Sequence, residues 1–197
     1  MSDAGQCFDK VNCSLVLVTF IAFFFLGLFF IQPVFVSAPV ADCAVTSKVL
    51  RVHGDSMRPL FEPETEHTLL EGYYDCHPVL RGDVVVHQYA SNLIPLVKSV
   101  RAVAGDTLML TPAQSRTSVM SGKWNVIIND KILVNDSKAP YAISLAGYRM
   151  LSLYIKDYRG LIPRGSVLLL GEDPKGSIDG TRLGLTSVSD LIGKVKN

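Results

Sequence analysis

Apolar and polar positions divide this chain into two regimes. From Val11 to Ala41 there is no Asp, Glu, Lys or Arg, and the stretch from Leu15 to Ile31 is interrupted only by Thr19 and Gly27. A helix crosses a bilayer core with about 20 apolar residues, so a transmembrane helix is expected over residues 14–36. A cleaved signal peptide has a basic start and an apolar core of about 7–15 residues. Here the apolar stretch is longer, Asp3 and Asp9 accompany Lys10, and Pro39 follows Ala38. The organisation expected is a leader over 1–13, a span over 14–36, a linker over 37–47 and a domain over 48–197.

Past the linker the pattern shortens to runs of four to eight apolar residues between Gly and Pro turns, which is the signature of strands. Strands are expected at Lys48–Val52, Asp83–His87, Leu93–Val103, Thr107–Leu110, Trp124–Ile128, Lys131–Val134 and Val167–Leu170. Asn129-Asp130 reads as a hairpin turn and Glu62–Glu66 as an acidic loop. Residues Ala142–Tyr158 are open between a short helix and an irregular insert. The fold class expected is mostly β, a coiled antiparallel sheet or barrel-like domain behind one membrane helix.

Charge narrows the choice of partners. The 197 residues carry a formal net charge of +1, and basic and aromatic residues are not interleaved, so nucleic acid is not expected as a partner. With the N-terminus inside, Cys43 and Cys76 lie outside, where they pair in an oxidising compartment or remain two thiols. No Cys/His spacing fits zinc; no metal and no cofactor are expected.

Lys98 changes the picture most. It interrupts the uncharged run Leu93-Ile94-Pro95-Leu96-Val97, and period-2 alternation puts it on the face of Leu96 and Val100. Burial disfavours a charged amine, and a neutral lysine is a general base. Upstream, Gly54-Asp55-Ser56-Met57-Arg58-Pro59 is a glycine-flanked turn able to present a hydroxyl. A Ser56/Lys98 hydrolytic pair follows as the candidate chemistry. A histidine base is the rival, from His53, His67, His77 or His87, but His53 lies too close in the chain to reach Ser56 easily across the turn.

Four blocks in order resemble the type I signal peptidases, membrane-anchored Ser/Lys proteases. They are Gly54–Pro59, Arg81–Val86, Lys98–Asp106 and Gly171–Gly184. In size, and in the Tyr-rich run before the last block, the chain is most similar to the TraF-like maturation peptidases of conjugative transfer; mitochondrial inner-membrane peptidases are comparably compact. The resemblance implies Ser56 as nucleophile, Lys98 as base and Ser177 as a hydroxyl orienting the lysine. It implies an oxyanion site from the Ser56 N–H and the position of Gly54, which here has no hydroxyl to donate. It implies an extended substrate bound along Val52, His53 and Met57 on one side and Pro95, Leu96 and Val97 on the other. Asp106 and Asp179 are implied as structural supports, with Arg101 or Arg182 expected to hold Asp179. Glu172 stands where the family often has aspartate.

The same resemblance implies cleavage after small residues, Ala-x-Ala favoured, in precursors of secreted or pilin-type proteins. It implies a single-pass protein of the inner membrane with its domain on the extracytoplasmic side, or alternatively of the mitochondrial inner membrane. The lipid bilayer and a precursor chain are the partners expected. An inactive, membrane-tethered β-domain that binds extended peptides is the competing reading.

Overall fold

Strand β4 (Leu96–Ala102) lies near the middle of the domain and organises it. The computed structural model describes residues 43–89, 94–113, 122–173 and 176–196. The expected leader and membrane span lie outside the described residues; within them, no helix is long and apolar enough to cross a membrane.

Seven strands form the main sheet. They are β1 (Thr46–Arg51), β2 (Glu66–Glu71), β3 (Val84–His87), β4, β9 (Ser166–Leu170), β10 (Thr186–Ser187) and β11 (Leu191–Lys196), in spatial order β1-β2-β11-β3-β4-β9-β10. A second sheet holds β5 (Leu108–Pro112) and β6 (Trp124–Ile128), with β7 (Lys131–Ile132) and β8 (Ala142–Ile143) sharing the other edge of β6. All these pairings are antiparallel. Neither sheet closes on itself among the described residues, so two open sheets replace the expected barrel-like assembly. The main sheet ends at β1 on one side and at the two-residue β10 on the other, and these two edges are not paired with each other.

Alternation along the strands sorts the core into layers. Val84, Val86 and Val97 pack with Val52, Met57 and Phe61 on one face of the main sheet. Val85 and Val100 pack with Val167 and Leu169 in a separate cluster. Leu168 and Leu170 join the second sheet through Val126, Ile128, Tyr141 and Ile143. Helix α1 (Leu145–Asp157) covers that layer with Leu151, and Trp124 stacks on Tyr148 at 4.7 Å. Ser144 caps the helix by accepting from the Gly147 N–H. A short helix α2 (Gly180–Leu183) lies within the last sequence block.

A bulge in β4 supports the site. Val100 pairs with Leu169 and Ala102 with Leu168, leaving Arg101 as the extra residue. Such a bulge re-aims side chains locally: Ala102 joins the layer of Leu168 while Val100 keeps that of Leu169. The turn that follows is fixed by Asp106, which accepts from the Val103 N–H at 2.9 Å and from Asn129 Nδ2 at 2.8 Å. Asn129 and Asp130 both have positive φ, 49° and 62°, as a type I′ hairpin requires.

Strands β2 and β11 were not expected. Glu66–Glu71 begins at the end of the supposed acidic loop, and β11 threads between β2 and β3. Cys43 and Cys76 are joined by a disulfide, with Cα atoms 6.0 Å apart.

Candidate active site

Lys98 stands opposite Val85 in the β3–β4 ladder and is 2 % exposed. Its Nζ lies 3.0 Å from Ser56 Oγ and donates to the Val97 carbonyl at 2.7 Å. Burial pushes its pKa down to about 8, and the charge of Asp179 opposes that shift. The amine is therefore deprotonated far more readily than one in water.

Strand β9 makes room for this contact by ending early. Its last residue, Leu170, pairs with Ser99, so the ladder stops one position short of Lys98. Gly171 then turns the chain beneath Ser56. A Cβ at Gly171 would sit 2.7 Å from the Ser56 carbonyl oxygen and 2.3 Å from Ser177 Oγ, so only glycine fits. The N–H groups of Glu172 and Asp173 donate to that carbonyl at 2.7 and 3.3 Å.

The loop carrying Ser56 is anchored on its other side as well. Met57 is buried in the core, and the Phe61 N–H donates to its carbonyl. Arg58 bridges Asp55 and Glu62 at the surface. Gly54 enters the turn at φ 78°, a left-handed value that L side chains rarely adopt, and a Cβ there would point into open space. Ser56 itself is half-buried, its hydroxyl at the end of a fixed loop.

Asp179 is fully buried and held without an arginine. It accepts from the Tyr141 hydroxyl at 3.0 Å, the Gly171 N–H at 2.9 Å and the N–H and hydroxyl of Thr181. The expected arginine partners lie elsewhere. Arg101, displaced by the bulge, pairs with Glu172, and Arg182 is exposed. Burial and the neighbouring carboxylate raise the Tyr141 pKa, keeping it a donor. Glu172 is 1 % exposed and also accepts from Ser99 Oγ at 2.8 Å and the Asp136 N–H at 2.9 Å. Ser99 and Arg101 thus both serve Glu172, and Glu172 holds the segment whose N–H groups grip Ser56.

Ser177 is buried beside Gly171, yet its hydroxyl has no hydrogen-bond partner among the described residues. The residues expected along a substrate divide in two. Val52 and Met57 belong to the core, and Val52 gives its N–H to Thr65 and its carbonyl to Glu64. Pro95 is exposed, and Leu96 and Val97 are part-exposed. Leu96 and Val97 pair with β3 on one side, while β9 does not reach them on the other. Exposed His53 bonds Glu64 at 2.7 Å.

Sequence reasoning passed over Tyr141, whose role depends on a fold contact 38 positions away. It named His87 only as a rival base. His87 is 1 % exposed on the same sheet face as Lys98, with both ring nitrogens unpartnered among the described residues. Burial and the nearby Lys98 charge push its pKa down to about 4, against the pull of Asp190. Among the described residues, Cys43, Cys76 and His77 group closely enough to ligate an ion, but both sulfurs are in the disulfide.

A family model described as signal peptidase, peptidase S26, matches residues 11–197. No curated protein matches the chain.

Proposed function

The chain belongs to the signal peptidase family, peptidase S26, and from that premise we propose a membrane-bound serine endopeptidase with Ser56 as nucleophile and Lys98 as general base. One observation carries the reading: a buried amine, pushed down to about 8, stands 3.0 Å from a loop-held hydroxyl. When Lys98 is neutral, the same contact runs with Ser56 donating its proton to the amine lone pair. The Val97 carbonyl takes one amine N–H and aims that lone pair.

Ser56 Oγ attacks the scissile carbonyl carbon as its proton passes to Lys98. The resulting ammonium then protonates the departing amine, and the carbon–nitrogen bond breaks to leave an ester on Ser56. A water, deprotonated by the same amine, hydrolyses the ester and restores the hydroxyl. The Ser56 N–H serves the oxyanion. A single donor of this kind contributes about 2.7–4 kcal/mol.

The substrate is an extended leader or signal segment of a secreted or pilin-type precursor. The edge of β4 that β9 leaves free at Leu96–Val97 supports strand addition, with small residues before the cleaved bond. The apolar stretch at 14–36 supports a membrane anchor, and the Cys43–Cys76 disulfide supports an oxidising, extracytoplasmic location at the inner membrane. Similarity to conjugative maturation peptidases suggests a transfer system as the setting.

The test is direct. Ser56→Ala and Lys98→Ala each lower the cleavage rate of an Ala-x-Ala fluorogenic peptide by about 10⁴-fold or more, while circular dichroism stays that of the parent. Cleavage at parental rates by either variant overturns the assignment. Labelling of Ser56 alone by an acylating inhibitor is the outcome that separates an enzyme from an inert peptide binder.

A further inference from the structure

His87 is a buried polar group that the chemistry above leaves without a task. It lies in β3, 1 % exposed, and neither ring nitrogen has a hydrogen-bond partner among the described residues. Its place in the ladder ties it to the base. His87 stands opposite Leu96, and Lys98 stands opposite Val85. The two side chains are therefore diagonal neighbours on one face of the sheet, a separation that long and aromatic side chains span. A buried imidazole with nothing to bond costs stability. A phenylalanine would fill the space without that cost.

The ring is not a second base. Burial and the charge of Lys98 push its pKa down to about 4, so it is neutral over the range around 8 in which Lys98 changes charge. The other charged groups on this side of the sheet are Asp83, Lys194 and Asp190. Lys194, opposite Val85 on β11, pairs with Asp83. Asp190, just before β11, is exposed and pulls the ring the other way. Asp179 acts on Lys98 itself.

A neutral imidazole is a dipole with a proton on one nitrogen and a lone pair on the other, and a hydrogen bond normally decides which is which. No such bond pins His87 among the described residues, so the tautomer with its lone pair toward Lys98 is open to it. The reaction creates a need for that dipole. Lys98 becomes an ammonium with three donors when it takes the Ser56 proton. Its acceptors are the Val97 carbonyl and Ser56 Oγ, and the second is then engaged in the ester. In a low-dielectric interior a dipole beside a charge counts for more than in water. We propose that His87 is a positioning residue for this reaction, a neutral dipole beside Lys98 that stabilises the ammonium formed as Ser56 is acylated. This deepens the peptidase reading and rests on it.

Two measurements test it. The first uses the full-length protein labelled with ¹⁵N-histidine in detergent micelles, with His87→Phe identifying the His87 signals among the four histidines. Between about pH 6 and about pH 10, the two His87 ring nitrogens are expected to shift in opposite senses with a midpoint near 8. The change is absent in Lys98→Met. Ring signals that stay fixed through this range overturn the proposal, whether or not the protein cleaves a peptide. The second is the pH–rate profile of acylation. His87→Phe keeps an aromatic ring and removes the dipole, so the midpoint is expected to fall by about 0.5 on the pH scale and the plateau rate by about threefold. His87→Gln, whose amide oxygen can turn toward the amine, restores the midpoint. A midpoint unchanged in His87→Phe, or displaced equally in both variants, marks His87 as packing alone and overturns the proposal. Failure of the unmodified protein to cleave any peptide counts against the peptidase reading, because the ring signals are read without catalysis.

Discussion

At the residue scale, burial sets the chemistry of Lys98. An amine titrating near 8 is about one-tenth neutral at pH 7. The neutral form, the one proposed to act as base, gains as pH rises, and the lowered folded-state pKa brings that gain into the range around pH 8. The acylation rate of Ser56 is expected to climb through pH 8 and level off above it, as a pH–rate profile will show. Asp179 holds the amine pKa up, so Asp179→Asn moves the midpoint to lower pH. A midpoint that stays fixed in that variant argues against Asp179 acting on the amine. Lys98 was legible because a charge in an apolar strand stands out from its own neighbours. The partner of Asp179 was not. A tyrosine on a distant segment replaces the arginine expected nearby, and no local pattern in Gly171–Gly184 points to Tyr141.

At the scale of elements, the β4 bulge and the early end of β9 do the positioning. The bulge sends Arg101 to Glu172, and the residues after Leu170 hold the Ser56 carbonyl. Removing one member of a buried ion pair leaves the other charge uncompensated, at about 3–5 kcal/mol. Glu172→Ala is therefore expected to destabilise the domain by about 3 kcal/mol in urea denaturation, and to lower kcat because the loop carrying Ser56 loosens. A variant of parental stability shows that Arg101 is satisfied elsewhere. Strands β3, β4, β6 and β9 were readable, since each is a short apolar run between turn residues. Strand β2 starts and ends in glutamate and buries only Leu69. Strand β11 is interrupted by Gly193 and carries Lys194 and Lys196 among its six residues, so neither announces itself. Helix α1, one of the two readings left open for Ala142–Tyr158, was blurred for a related reason. Leu145 and Leu153 are exposed while Gly147 is buried, which blurs the helical period.

At the scale of the molecule, the strand order explains what sequence could not provide. β11, last in the chain, lies between β2 and β3, and such non-local pairing leaves no trace in local alternation. The blocks after Gly54 nevertheless pointed to the family that matches residues 11–197. The disulfide acts at this scale too. It ties Cys43, just before β1, to Cys76, just after β2, across 33 positions. Closing a loop of that size restricts the unfolded chain, a stabilisation of about 2–4 kcal/mol. Thermal denaturation in reducing buffer is expected to occur several degrees lower than in oxidising buffer. An unchanged Tm rules out this contribution.

The edge of β4 that β9 does not reach has one more consequence. Under the proposed strand addition, main-chain pairing would hold any extended segment, and a severed leader offers the same backbone as an intact precursor. Turnover would then be governed by how fast the spent fragment slips away, so that whatever draws it off or degrades it sets the pace of maturation.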